Sequence, residues 1–469
     1  MGFKILYESW SYKMKDMTYG NERKALIFFS LPLILGNLIQ QLYNIADTLI
    51  VGRFLGSNAL GAVGSAYALM VLLTSIILGL CMGSGIVFSQ LFGAKRIKDL
   101  KTSIWNSFVF TAVVTIVINV VAFLLLDKLL IWLNIPNEAL EYTKTYLNII
   151  FMGIGFTFIF NFISSILRSI GNSVMPLIFL AISSVLNIVL DIVFILPMNM
   201  GVGGAAIATV ISQGVSAVTI MIYFIKKAPQ VRPEKENMYY DKKLLKQVMS
   251  NSILNSIQQS IMNFGILMIQ GLVNSFGVHA MAAFAAVVKI DSFAYMPAQD
   301  FGNAFATYIA QNYGAGKASR IKTGIKEAVK ISGVFCLISS FVVCIFSKEL
   351  MLMFIQPSEI EIISIGVQYL RIEGMCYLGI GFLFLLYAFY RGLGKAQMSI
   401  VLTVVSLGSR VIIAYALAPI SSIGLLGIWW AIPIGWMLAD IIGFGYLILK
   451  RERLFSEGSK FEEATIDII

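Results

Sequence analysis

Long apolar segments alternate with short polar segments along the whole chain. Each apolar segment is long enough to cross a hydrocarbon layer of about 30 Å as an α-helix. The sequence lacks the alternating segments of about ten residues that are typical of a membrane β-barrel. We therefore predict an all-α integral membrane protein. The pattern predicts twelve transmembrane helices, at residues 25–50, 60–84, 103–126, 140–165, 175–197, 203–225, 247–273, 280–305, 324–346, 364–388, 398–419 and 426–449.

Lysine and arginine residues are concentrated in every second connection between the predicted helices. They cluster in the N-terminal tail, at 95–101, at 226–246, at 317–326 and in the C-terminal tail, whereas the intervening connections hold at most one or two each. Because basic residues are retained on the cytoplasmic side, this alternation predicts that both termini are cytoplasmic. The expected location is a bacterial cytoplasmic (inner) membrane.

The composition excludes a soluble globular protein. Of 469 residues, 58% are hydrophobic and only 13% are charged, and the mean hydropathy is +0.83, whereas soluble domains have about 25% charged residues. The formal charge of +10 lies between the apolar segments, so we expect it to orient the chain in the bilayer and not to bind nucleic acid. The four cysteines lie inside apolar segments without metal-ligand spacing, so we expect no cofactor.

Short motifs repeat between the two halves of the chain. Gln90-Leu-Phe-Gly-Ala94 returns as Gln311-Asn-Tyr-Gly-Ala315, and Leu167-Arg-Ser-Ile-Gly171 returns as Tyr390-Arg-Gly-Leu-Gly394. With an even number of spans in each half, both halves enter the membrane from the same side. They are therefore predicted to be parallel repeats, two six-helix bundles related by a pseudo-two-fold axis along the membrane normal. The predicted division is a cytoplasmic tail at 1–24, an N-lobe at 25–226, a cytoplasmic linker at 227–246, a C-lobe at 247–449 and a cytoplasmic tail at 450–469.

Polar side chains inside the predicted spans are the candidates for function, because such groups are costly in lipid. Asp47 ends a polar face of span one, Asn187 and Asp191 share a face of span five, and Thr209 lies in span six. These oxygen-bearing groups suit Na⁺, or a pair of carboxyls that share a proton. A structural hydrogen-bond cluster is the alternative. The rest of the span-one face is formed by Asn37, Gln40, Gln41 and Asn44.

At this point the chain resembles the multidrug and toxic compound extrusion (MATE) family over nearly its whole length. Asp47-Thr-Leu-Ile-Val-Gly52 is similar to the family's first-span acid and glycine, and Leu186-Asn-Ile-Val-Leu-Asp191 to its fifth-span pair. The Gln90 and Gln311 motifs resemble the paired family motif after spans two and eight. The resemblance implies secondary active export of small, cationic or amphipathic organic compounds by alternating access, in antiport with Na⁺ or H⁺. It also implies an ion site at Asp47, Asn187, Asp191 and Thr209.

The C-lobe departs from the members that carry acids in spans seven and ten. Span seven has Asn255, Gln258 and Gln259 instead, and span ten is apolar around Ile380. We therefore expect the N-lobe to bind the driving ion, and polar groups in both lobes to line the substrate path. Besides the span-one amides, these polar groups are Asn255, Gln258, Gln259, Asp291 and Asp300.

The acids of the C-lobe leave two interpretations open. Asp291 could form a cation site of its own, or it could be neutralised by Lys289 or Arg410. Pro297 should loosen span eight locally. Glu373 is expected near the membrane interface beside Arg371 and, with Asp440, is a weaker candidate.

Three alternatives to a drug exporter can be weighed against the sequence. A major-facilitator transporter would also have six plus six spans, but Gly93-Ala-Lys-Arg-Ile-Lys98 does not fit that family's basic motif. A flippase for a lipid-linked substrate of the same superfamily stays open. An embedded enzyme would need a catalytic constellation at depth, and the one histidine, His279, lies outside the spans. We expect no enzyme activity and no ATP-binding subunit, and a monomer in the bilayer.

Overall fold

A computed structural model of the chain describes residues 16–132, 135, 137–450 and 454, and the described residues form helices without any strand. The helices are α1 (Glu22–Gly56), α2 (Ala59–Gly93), α3 (Ile97–Trp132), α4 (Asn137–Ser169), α5 (Val174–Ile195), α6 (Gly201–Lys227), α7 (Lys242–Asn274), α8 (Val278–Ala294), α9 (Met296–Gly314), α10 (Ala318–Ile345), α11 (Ser347–Leu352), α12 (Ile360–Gly374), α13 (Tyr377–Gly392), α14 (Ala396–Leu417) and α15 (Leu425–Leu449). A short 3₁₀ helix, Lys235–Asn237, lies in the linker before α7.

The helices of the described residues account for the predicted spans. Nine of them are long and apolar enough to cross a membrane, and the bent pairs α8–α9 and α12–α13 reach that length together, which makes eleven. The remaining predicted span is α7, a helix of 33 residues. It is long enough to cross, but its many asparagine, glutamine and serine side chains lower its hydropathy. The all-α fold predicted from the sequence is confirmed.

Two spans are broken, and only one of the breaks was predicted. Span eight bends by 41° between Ala294 and Met296, where Pro297, the second residue of α9, cannot continue the hydrogen bonding of α8. Span ten bends by 53° between Gly374 and Tyr377 without a proline. A Cβ at Gly374 would lie 3.2 Å from side-chain atoms of α10, so close helix packing accompanies this second break.

Packing divides the chain into two compact units, each with its own core. Of the described residues, the first unit holds Asp16 and 32–256, and the second holds 17–31 and 257 onwards. The start of α1 is therefore part of the second unit, and the first half of α7 is part of the first. The predicted lobes, in contrast, divide at the linker 227–246 and stay a prediction about the repeats.

In the first unit, α2 packs tightly against the first half of α7. Cβ atoms at Gly79 and Gly83 would overlap the backbone at Ser256 and Asn251, so only glycine permits this close approach. The crossing is polar at one point, where the hydroxyls of Ser84 and Ser252 are 2.9 Å apart. Small residues and hydroxyls are the usual means by which helices associate in lipid.

In the second unit, the segment around the start of α1 is held by the end of α9 and the first turn of α10. Gln311 accepts a hydrogen bond of 2.9 Å from the Met17 backbone. Arg320 donates to the carbonyl of Gly20 at 2.8 Å and forms an ion pair with Glu22 at 3.0 Å. We call residues 17–22 the N-terminal strap. The repeated motif that begins at Gln311 therefore has a structural role.

Candidate ion-binding site

Three helices of the first unit bring the predicted ion-site residues together. Asp47 lies on α1, Asn187 and Asp191 lie one turn apart on α5, and Thr209 lies on α6, which packs along α5. All four side chains are buried, and Asp191 has no exposed surface. The helical spacing that predicted their common face in the sequence therefore matches their placement in the fold.

The two carboxyl groups face each other. Asp47 and Asp191 lie within hydrogen-bonding reach of each other, and Oδ1 of each has no hydrogen-bond partner among the described residues. The Asn187 amide lies between the acids and Thr209, 2.8 Å from Oδ2 of Asp191 and 3.2 Å from the Thr209 hydroxyl. One end of the amide therefore faces the acid pair, and the other faces Thr209.

No basic side chain of the described residues forms an ion pair with either acid. The neutral rings of Tyr43 and Tyr146 lie near the pair. Two buried carboxylates side by side would repel each other strongly in a medium of low dielectric. The pair therefore needs a proton or a bound cation to be stable in this position.

The other polar residues of α1 lie in more accessible positions. Asn37, Gln41 and Asn44 are half-buried, and Gln40 is exposed. Asn44 donates to the side chain of Gln41 at 3.3 Å. Of the polar residues on the span-one face, Asp47 is the one that belongs to the acid pair.

A second acid pair in the second unit was missed by the sequence reasoning. Asp291 and Glu373 lie within hydrogen-bonding reach of each other and are both 3% exposed. Tyr377 donates to Oδ1 of Asp291 at 2.5 Å, and Oε2 of Glu373 has no partner among the described residues. Glu373, which the sequence offered only as a weaker candidate, is thus buried beside Asp291. In the sequence, the four-residue spacing of Tyr369, Glu373 and Tyr377 is that of one helix face and could have indicated this site, although the break after Gly374 divides these residues between α12 and α13.

Neither basic residue that the sequence offered neutralises Asp291 by an ion pair. Lys289 is exposed on α8. Arg410 lies over the ring of Trp436, 5.8 Å from its centroid, and forms no ion pair in the described part of the chain. Asp291 and Glu373 also occupy the last turns of α8 and α12, where the negative end of the helix dipole disfavours a second negative charge. The charge of Arg410 nevertheless reaches Glu373, so a basic residue of the protein partly offsets the charge of this pair.

The amides of α7 divide between the two units. Asn255 is buried in the first unit and donates to the Asn251 carbonyl at 2.8 Å. Gln258 is buried in the second unit and donates to the Thr403 hydroxyl at 3.1 Å. Gln259, beside it, and Asp300 on α9 are half-buried. The structure therefore brings neither Asn255 nor Gln258 to an acid pair.

Comparison with known proteins decides the family. The family model described as MatE matches residues 32–193 and 252–416, well over half of the chain. This chain belongs to the MATE family. The match to a MATE model in each half agrees with the two repeats that the motifs predicted.

Relatives of this MATE chain are named as drug-resistance proteins. It is 33% identical over 396 residues to the probable multidrug resistance protein YpnP of Bacillus subtilis (strain 168), covering 84% of this chain and 88% of that one. It is 28% identical to the probable multidrug resistance protein NorM of Thermotoga maritima, covering 95% and 94%. The chain is thus a multi-pass membrane transporter of a family associated with multidrug efflux. A lipid flippase is not favoured.

Solved MATE structures share the fold. A crystal structure of MATE in complex with MaL6 aligns with a TM-score of 0.89 at 24% identity, over 96% of this chain and 100% of that one. An outward-facing multidrug resistance MATE transporter aligns with a TM-score of 0.87 at 25% identity, over 95% and 98%. The two-lobe, twelve-helix architecture therefore extends over nearly the whole chain.

Proposed function

We propose that this MATE transporter exports small organic compounds, cationic or amphipathic, in antiport with protons, and that the Asp47–Asp191 pair binds the proton. The supporting observation is the pair of facing carboxyls without a basic partner. One proton between them would remove the repulsion and satisfy both unpartnered oxygens. The relatives' names support a drug as the substrate.

The acid pair itself favours H⁺ over Na⁺. One proton shared by two carboxyls needs no further ligand, whereas a sodium ion prefers a shell of several oxygen atoms, as hard cations generally do in proteins.

In the proposed cycle, the charge of the acid pair controls which conformation is favoured. With one proton shared between them, the two carboxyls carry a single negative charge and can remain buried. Loss of that proton leaves two negative charges side by side, which favour contact with water. A change of conformation that exposes the pair to one side and then to the other would couple proton entry to export. The protein is proposed to act in the cytoplasmic membrane as a monomer, with both termini in the cytoplasm.

The substrate path is proposed to use neutral amides and the second acid pair. Gln259 is half-buried and has no role in the acid pairs, so its amide is suited to hydrogen bonding with substrate. Asp291 and Glu373 lie close to the aromatic rings of Tyr295 and Tyr369. Carboxyls beside aromatic faces are the groups that recognise organic cations.

The test is transport by purified protein in vesicles loaded with ethidium, with one gradient imposed at a time. We expect a pH gradient to drive ethidium movement and a Na⁺ gradient to have no effect. Asp47→Asn and Asp191→Asn should abolish the pH-driven flux, while Asp127→Asn, an acid paired with Lys144 at 2.7 Å, should not. Normal flux by Asp47→Asn would contradict the site, and flux driven by Na⁺ alone would contradict the ion.

A further inference from the structure

A regular series of polar side chains runs along α3. Ser103, Ser107, Thr111, Thr115 and Asn119 follow one another at intervals of four residues. Neighbours in the series are about 6 Å apart along the helix axis and about 40° apart around it, so the series winds gradually around α3 by about 160° in total. The series therefore extends over about 24 Å, most of the thickness of a hydrocarbon core. We call these five residues the hydroxyl ladder.

The four hydroxyl residues of the ladder are buried and Asn119 is half-buried, yet most of the ladder's polar atoms are unpaired. Ser103 and Thr111 have no exposed surface and Thr115 is 3% exposed. The hydroxyls of these three residues and Oδ1 of Asn119 have no partner among the described residues. Buried hydroxyls on helices usually donate to the carbonyl four residues earlier, as Thr143 does to Ala139 at 2.8 Å. So many unpaired atoms in one row need an explanation.

Helix association does not explain the ladder. A hydroxyl that holds two helices together forms a hydrogen bond across the interface. Ser107 does so, because it donates to Ser84 of α2 at 2.6 Å. The hydroxyls of Thr111 and Thr115 do not, although they lie one and two turns further along the same helix. Hydroxyls that accept and donate at regular intervals are instead suited to holding water molecules.

One end of the ladder approaches the first acid pair. Asn119 donates to the carbonyl of Phe151 on α4 at 2.9 Å. About 7.5 Å along the same helix from Phe151 is Tyr146, which is within hydrogen-bonding reach of Thr209 and within electrostatic range of Asp47 and Asp191. The connection between the ladder and the acid pair therefore follows α4 from Phe151 to Tyr146.

The other end lies close to the turn between α2 and α3. Ser103 is in the second turn of α3, which begins at Ile97. That turn carries Lys95, Arg96 and Lys98, and the positive-inside rule predicts that it faces the cytoplasm. The ladder thus connects the level of the acid pair with the predicted cytoplasmic surface, inside a single compact unit.

We propose that the hydroxyl ladder holds a file of water molecules through which protons pass between the Asp47–Asp191 pair and the cytoplasm. The inference rests on the proposed proton antiport. The proton that leaves the shared carboxyl position is taken up by the nearest water, each water passes on one proton, and one proton enters the cytoplasm. The hydroxyls hold the waters in line and are not consumed, and the acid pair is left with one additional negative charge.

The test is the double variant Thr111→Val and Thr115→Val in the full chain, in vesicles that contain a pH-sensitive dye. Valine keeps the shape of threonine and removes the hydroxyl. We expect the drug-induced proton flux to become slower by about tenfold, with equilibrium ethidium binding unchanged. Thr111→Ser with Thr115→Ser should restore the flux. Thr143→Val, which removes a buried hydroxyl outside the ladder, is the matched control.

Unchanged proton flux in the double valine variant, with Asp47→Asn inactive, would refute the ladder and leave the proposed antiport standing. An active Asp47→Asn would refute the antiport itself, whatever the ladder variants show. Should the double variant fail to insert, Ser103→Ala is the second variant, because it deletes one unpaired hydroxyl at the far end of the ladder. Full proton flux in Ser103→Ala would then also count against the proposal.

Discussion

Tyr377 donates a hydrogen bond of 2.5 Å to Oδ1 of Asp291, and so joins the first residue of α13 to the last turn of α8. Both residues lie next to a helix break, one in span eight and one in span ten. Helix breaks inside transporters commonly mark the sites at which ions or substrates bind. The position of the acid pair in the second unit, next to two helix breaks, is therefore typical of a binding site in a transporter.

The first prediction concerns the separate roles of the two acid pairs in proton flux and drug flux. Asp47→Asn should abolish proton flux and drug flux together, because the charge that couples them is lost. Asp291→Asn should weaken drug transport but leave drug-induced proton flux per exported molecule unchanged. The two fluxes are measured separately in the same vesicles. Loss of proton coupling in Asp291→Asn alone would mean that the driving ion binds in the second unit.

The second prediction concerns the close crossing of α2 and α7. Gly83→Ala should lower the thermal stability of the purified protein, because the added Cβ would overlap the backbone at Asn251. Overpacking of this kind costs about 1–3 kcal/mol. Gly155→Ala on α4, where a Cβ would meet no atom within 4 Å, is the control and should be neutral or stabilising. Equal melting temperatures for both variants would contradict the packing described.

The third prediction concerns the N-terminal strap. Arg320→Ala removes hydrogen bonds to the backbone carbonyls of Met17, Tyr19 and Gly20. Hydrogen bonds to a charged group contribute about 1.5–3 kcal/mol, so the strap should open at least roughly tenfold more often. Limited trypsin digestion should then cleave near Lys24 faster, with exposed Lys326→Ala as the control. Equal cleavage rates would show that other contacts hold the strap.

The fourth prediction concerns topology. A cysteine at Tyr240, which is 69% exposed in the linker, should resist a membrane-impermeant thiol reagent added outside intact cells. A cysteine at Met198, 55% exposed between α5 and α6, should react readily. The positive-inside rule predicts this difference from the basic residues around the linker. Labelling of both positions, or of Tyr240→Cys alone, would overturn the predicted orientation.

The local pattern of the sequence was sufficient to predict the membrane spans and the α5 side of the candidate ion site. Hydropathy and helical periodicity are properties of neighbouring residues, so they predicted the helices and the common face of Asn187 and Asp191. Pro297 likewise predicted the break in span eight, because a proline acts on its own helix. That Asp47 joins that face was a hypothesis, because it depends on how three separate spans pack together.

Only the tertiary structure decided which side chains meet and which stay unpaired. Asp291 and Glu373 are about 80 residues apart in the chain, and their contact depends on how two bent spans pack. The regular spacing of Thr111 and Thr115 is visible in the sequence, but their unpaired hydroxyls are not. Whether a buried hydroxyl finds a partner depends on the helices around it, and the order of residues within one helix does not contain that information.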